Sequence, residues 1–135
     1  MQITSGALTA DQVRTELEAA PSILRRHGIE DIVACFGVGS SANIDELWQL
    51  HELHVSELLE FARTSADRGL FRPGNSDLIV NVPDNSTVLT FCHESDIHVE
   101  STNDALIAEF VQRWKTQGLL GFHKVGTEWV PFGAA

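Results

Sequence analysis

The feature that most limits what this chain can fold into lies between Leu78 and Glu100. Leu78-Ile79-Val80-Asn81-Val82 and Thr87-Val88-Leu89-Thr90-Phe91-Cys92 are two β-rich runs, and Pro83-Asp84-Asn85-Ser86 between them is a set of turn formers. Such a pattern predicts a β-hairpin. Beyond it, Leu89, Phe91, Ile97 and Val99 hold odd positions while Glu94, Asp96, His98 and Glu100 hold even ones. Alternation of period two puts the first set on one sheet face and the second on the other. Either one strand runs on to Glu100, or the chain turns at Glu94-Ser95 and adds a third strand.

Helical signals flank this β region. Thr9 and Gln12 form a capping box ahead of Val13, Leu17 and Ala20, so a helix starts near Ala10. Pro21 is expected to interrupt it and to open a second short helix that Gly28 stops. Ile29 to Phe36 suits a short buried strand, and Gly37-Val38-Gly39-Ser40-Ser41 a turn that lacks the lysine and third glycine of a phosphate loop. Asn43 and Glu46 make a second capping box, from which a long helix is expected over about 44–67, with Trp48 near its apolar arc. Ser101 or Thr102 is expected to cap a further helix whose Leu106, Ile107, Phe110, Val111 and Trp114 share a face. A closing hairpin over 122–130 turns at Gly126-Thr127 and carries Trp129, read with Trp48 as core. These elements predict an α+β fold. Its antiparallel sheet would have about four to five strands, with amphipathic helices packed mainly on one face. One domain over 1–135 is expected, with an N-terminal helical arm over about 1–28 and a core over about 29–135.

Charge narrows the function classes. The 135 residues carry 9 Lys plus Arg against 19 Asp plus Glu, a formal net charge of −10. Nucleic-acid binding draws on clustered basic side chains, so no nucleic-acid partner is expected, and repulsion disfavours anionic membranes as well. No run approaches the roughly 18 apolar residues of a membrane-spanning helix. The N-terminal segment has no secretory pattern, so a cytoplasmic address is expected, with Cys35 and Cys92 as buried thiols. The natural electrostatic partner is a basic protein.

Histidines mark the candidate sites. A helix over 44–67 would place His51 and His54 on its apolar face, where ring nitrogens need partners. His93-Glu94-Ser95-Asp96-Ile97-His98 is the densest run of functional side chains. Two buried, hydrogen-bonded histidines are the plain structural expectation. In a second reading, His51, His54, His93 and His98 are ligands to zinc or another divalent transition metal, with Glu94 or Asp96 as ligand or general base of a metal-dependent hydrolase or regulator. A third is a small-ligand pocket lined by the same histidines and sensitive to pH. Cys92 and His93, adjacent on a strand, would face opposite sides and form no thiolate pair. With no catalytic constellation evident, the leading expectation is a non-enzymatic protein-interaction or regulatory domain. It would engage a basic protein through its acidic surface and could form a homodimer through an exposed sheet edge.

Overall fold

The computed structural model describes residues 1–133. Among these residues, three α-helices and an antiparallel sheet make an α+β fold, but the sheet has eight strands instead of four or five. In chain order the elements are β1 (Gln2–Ser5), α1 (Ala10–Arg26), β2 (Asp31–Phe36), β3 (His51–His54), α2 (Leu58–Asp67), β4 (Leu78–Asn81) and β5 (Thr87–Phe91), then β6 (Ile97–Ser101), α3 (Asp104–Thr116), β7 (Leu120–Val125) and β8 (Glu128–Gly133). Across the sheet the order is β3-β2-β4-β5-β6-β1-β7-β8. No helix among the described residues is long and apolar enough to cross a membrane.

The expected hairpin forms with Leu78 opposite Phe91, and the chain turns at Glu94-Ser95 so that Phe91 also faces Ile97 on β6. Ser95 takes a left-handed φ of 64° there, and the Cys92 amide donates to the Asp96 carbonyl at 2.9 Å. The closing hairpin forms as well, longer than expected, turning at Gly126. Asn103, not Ser101 or Thr102, caps α3 by accepting from the Leu106 amide.

Two elements differ more deeply. Residues 1–28 are no helical arm, because Gln2–Ser5 forms a strand between β6 and β7. Helix α1 also runs unbroken through Pro21. A helix-interior proline costs about 3 kcal/mol, which burial of Val13, Leu17, Ala20, Ile23 and Leu24 along one face offsets. The helix expected over 44–67 exists only from Leu58. Asn43 does cap a turn, its Oδ1 accepting from the Asp45 and Glu46 amides. Trp48 then adopts φ 66° and donates its amide to Phe36, and the chain reverses into β3, which pairs His51–His54 with β2. His54 restarts helical structure: its Nδ1 meets the Ser56 amide while its own amide donates to Glu57 Oε1 at 2.8 Å.

Antiparallel partners lie on the same face, so the register sorts strand residues into two rows. One row includes Ala34, Phe36, Leu78, Val80, Leu89, Phe91, Ile97, Val99 and Ile3, all buried in one cluster with apolar side chains from all three helices. The other includes Val33, Ile79, Val88, Thr90, His98, Thr4 and Phe122, all half-buried. Trp114, fully buried, stacks on Phe132 of β8. Between α1 and α3, Glu16 is bound by Arg113 at 2.6 Å, while the Glu109 carboxylate is held below the usual range by hydrogen bonds from Arg26 and His27.

Two outcomes follow. Ile3→Ala should cost about 2–4 kcal/mol in urea unfolding, since Ile3 is fully buried in an interior strand, whereas a free arm would lose under about 0.5 kcal/mol. For Glu109, a folded pKa below the unfolded one gives stability that is present above the ordinary carboxylate range and lost as pH falls through the folded value. The Tm advantage of the native chain over Glu109→Gln should therefore be constant above about pH 5.5 and shrink towards about pH 3. A pH-independent difference would contradict it.

Candidate functional site

The predicted residues divide into two groups that the sheet keeps apart. His51 and His54 lie on β3 at one edge, with β2 and β4 between them and β5. His51 sits against Phe61 and Phe36, ring centroids 5.0 and 6.0 Å away, and His54 is spent on its capping role. At about 4.8 Å per strand, three steps put roughly 14 Å between the β3 and β5 backbones, so the four-histidine centre does not form.

His93, Glu94, Asp96 and His98 do gather at the β5–β6 end, around two residues that were not singled out there, Asp77 and Cys92. Asp77 precedes β4 and is buried. Its Oδ1 accepts from the His93 amide at 2.7 Å and faces His93 Nδ1 at 2.8 Å, while Oδ2 accepts from the Val38 amide at 3.1 Å. Backbone bonds from Gly37 to Asp77 and from Asp77 to Val38 complete the lock. Gly37 is needed here because a Cβ would lie 2.9 Å from Asp77 Oδ2, and Gly39, at φ 82°, because one would strike the Asn75 carbonyl. The glycine turn therefore packs against the Asn75–Asp77 segment.

Cys92 Sγ lies 3.7 Å from His93 Nδ1 and accepts from the Glu94 amide, so the two side chains meet despite being adjacent. They do so because β5 ends at Phe91 and strand alternation ends with it. His98 Nε2 is 3.0 Å from Asp96 Oδ1, and Glu94 is exposed, 3.8 Å from His93 Nε2. Two sets of side chains could hold a metal, Asp77 with Cys92 and His93, and Cys92 with Asp96 and His98; in each the ligand atoms lie within 4.8 Å of one another.

Electrostatics argue against a nucleophile. Burial pushes the Cys92 thiol up to about 11, with the Asp96 and Asp77 charges adding to it, so it is protonated at neutral pH. A relay needs the acid and the nucleophile on opposite imidazole nitrogens, yet Asp77 and Cys92 both address Nδ1 of His93. The hydrogen bond from Asp77 raises the His93 pKa. That pair reads as a charge-assisted clamp on the turn.

The four main cavities among the described residues have no histidine in their linings. A groove between α1 and α2, with a volume near 360 Å³, is lined instead by Leu17, Leu59, Ala62 and Phe71 with Arg14 and Arg63 at its rim. Nor are the two tryptophans core: Trp48 is 52% and Trp129 41% exposed, and Ile44 and Leu50 beside Trp48 are more exposed still. Sequence periodicity misplaced Trp48 because it treated 44–50 as helix, whereas Trp129 falls in the sheet row opposite the core, paired with Lys124. Comparison with family models, curated proteins and solved structures finds no match to this chain.

Asp77→Ala strands the part-buried Val38 and His93 amides, and a fully buried unpaired donor would cost about 1–3 kcal/mol. We expect a loss of about 2–3 kcal/mol in denaturant unfolding; a change under about 0.5 kcal/mol would show that Asp77 does not hold the turn.

Proposed function

We propose that the helices cover one face of the sheet and that the other face docks a protein segment that is basic and amphipathic, making the chain a non-enzymatic interaction or regulatory domain. One observation carries this reading. Eight of the nine Lys and Arg residues lie on helices or in loops, and Lys124 on β7 is the single one on a strand. The row opposite the core thus joins half-buried Val33, Ile79, Val88 and Phe122 and exposed Trp129 to the exposed carboxylates of Asp31, Glu52 and Glu100, with Lys124 the sole Lys or Arg among its described residues. Apolar side chains interspersed with carboxylates along the row, with Glu100 directly opposite Val88, complement a segment that is apolar on one side and basic on the other.

Size supports the face as the interface. Eight strands about 4.8 Å apart span about 34 Å, and strands of four to six residues at about 3.3 Å each add about 13–20 Å in depth. That area is of the same order as the roughly 800 Å² per partner of a standard interface. The sheet edges are poorer candidates for self-association. β3 has only four residues, and β8 carries Pro131, which lacks an amide donor.

The probe is a synthetic Lys/Leu amphipathic peptide, followed by calorimetry. Affinity should weaken steadily as salt rises from about 50 to about 500 mM. Glu52→Gln and Glu100→Gln should each weaken binding about two- to fivefold, while Glu18→Gln and Asp67→Asn, equal charge changes on exposed positions of α1 and α2, should not. Equal effects from both pairs would mean that net charge alone attracts the peptide and would overturn the docking face.

A further inference from the structure

We infer that Cys92, Asp96 and His98, at the β5–β6 end of the half-buried row, form a binding site for one divalent transition metal, with zinc the best match. This does not rest on the docking role of the face. It also differs from the four-histidine centre expected from sequence, keeping His98 and Asp96 and making the thiol of Cys92 the central ligand.

The donor set comes first. Cys92 is a thiol in the metal-free chain, so binding would release its proton to solvent; the resulting thiolate, with an imidazole and a carboxylate, suits zinc or cobalt, whereas magnesium and calcium take oxygen ligands alone. The three ligand atoms already lie within 4.8 Å of one another. In a tetrahedral zinc site, N and O ligands about 2.05 Å from the metal sit about 3.3 Å apart. His98 Nε2 and Asp96 Oδ1 are 3.0 Å apart, so replacing the proton they share by a cation needs a shift of only a few tenths of an ångström.

The backbone prepares this geometry. Asp96 and His98, two apart, project to the same side where β6 begins. The tight turn over 92–95 returns the chain so that the Cys92 amide bonds the Asp96 carbonyl, bringing Sγ to the same side. Ser95 Oγ anchors the turn by donating to the Leu8 carbonyl.

Asp77 and His93 are the neighbouring alternative ligands. Both oxygens of Asp77 are committed to the Val38 and His93 amides, and Oδ1 to the His93 ring as well. The Asp96 carboxylate instead faces His98 and the Cys92 thiol, so its side-chain partners are the other two members of the proposed ligand set. Charge points the same way. Between Arg72 and Arg113 the chain has no Lys or Arg, so within this segment only histidines face Asp77 and Asp96. His98 and Asp96 are half-buried, so the fourth position opens to solvent, where a water or a donor from another molecule would complete the shell.

The test uses the full chain, reduced and stripped of metal with a chelator, titrated with Co²⁺ and then Zn²⁺. We expect a thiolate-to-cobalt charge-transfer absorption that saturates at one cobalt per chain and is bleached by zinc. Cys92→Ser should abolish that absorption, and Cys35→Ser should leave it intact. Asp96→Asn and His98→Ala, substitutions at half-buried positions, keep the test decisive if Cys92→Ser does not fold. Each should weaken cobalt binding at least tenfold or so, since removing even an outer-shell partner of a metal costs about 10–100-fold. Absence of the absorption, its survival in Cys92→Ser, its loss in Cys35→Ser, or unchanged affinity in His98→Ala and Asp96→Asn would each overturn the assignment.

Discussion

Four residues near the N-terminus hold the sheet together. Strand β1 pairs with β6 on one side and β7 on the other, joining the block β3-β2-β4-β5-β6 to the C-terminal hairpin. Without it, β6 and β7 would each expose a row of unpaired amides and carbonyls. The amino terminus adds to the seam by donating to the Ser101 carbonyl. Ile3, fully buried in this strand, faces Val99 and belongs to the cluster that holds the apolar residues of all three helices. Sheet continuity and core burial thus depend on the same short segment.

Continuity sets where chemistry can occur. With all strands in one antiparallel sheet, side chains alternate between the buried row and the half-buried row, and both proposals concern the second. Along its length it carries apolar groups interspersed with carboxylates. Its β5–β6 end carries Cys92, Asp96 and His98, and the Asp77–His93 pair sets the path of the turn beside them. A metal there and a docked segment would therefore be neighbours on one surface, although each is tested separately.

How much of this was legible in the sequence depended on whether local signals agreed with tertiary ones. Strong alternation and turn chemistry marked the two hairpins, and β6 was one of two stated options. Residues 44–67 show the opposite case. Their apolar spacing and the Asn43–Glu46 box fit a helix, yet the exposed edge of β2 needed a partner, and pairing with His51–His54 prevailed over local propensity. β1 was missed because Gln2–Ser5 is too short to show a period and gains its stability from neighbours distant in sequence. At the candidate site, His93, Asp96 and His98 were legible as a dense run, whereas Asp77 and Cys92 were not. Asp77 holds the turn only through its burial against the glycine segment, and Cys92 was set aside by a strand rule that lapses one residue past the end of β5.

The central claim is that the half-buried row is the working surface of the domain. Backbone NMR of the isotopically labelled chain during titration with the Lys/Leu peptide locates binding residue by residue. The account predicts amide shift changes centred on Val33, Ile79, Val88, Phe122 and Trp129, with α1 and α2 unaffected. Changes concentrated on the exposed positions of those helices, or spread evenly over the acidic surface, would contradict it.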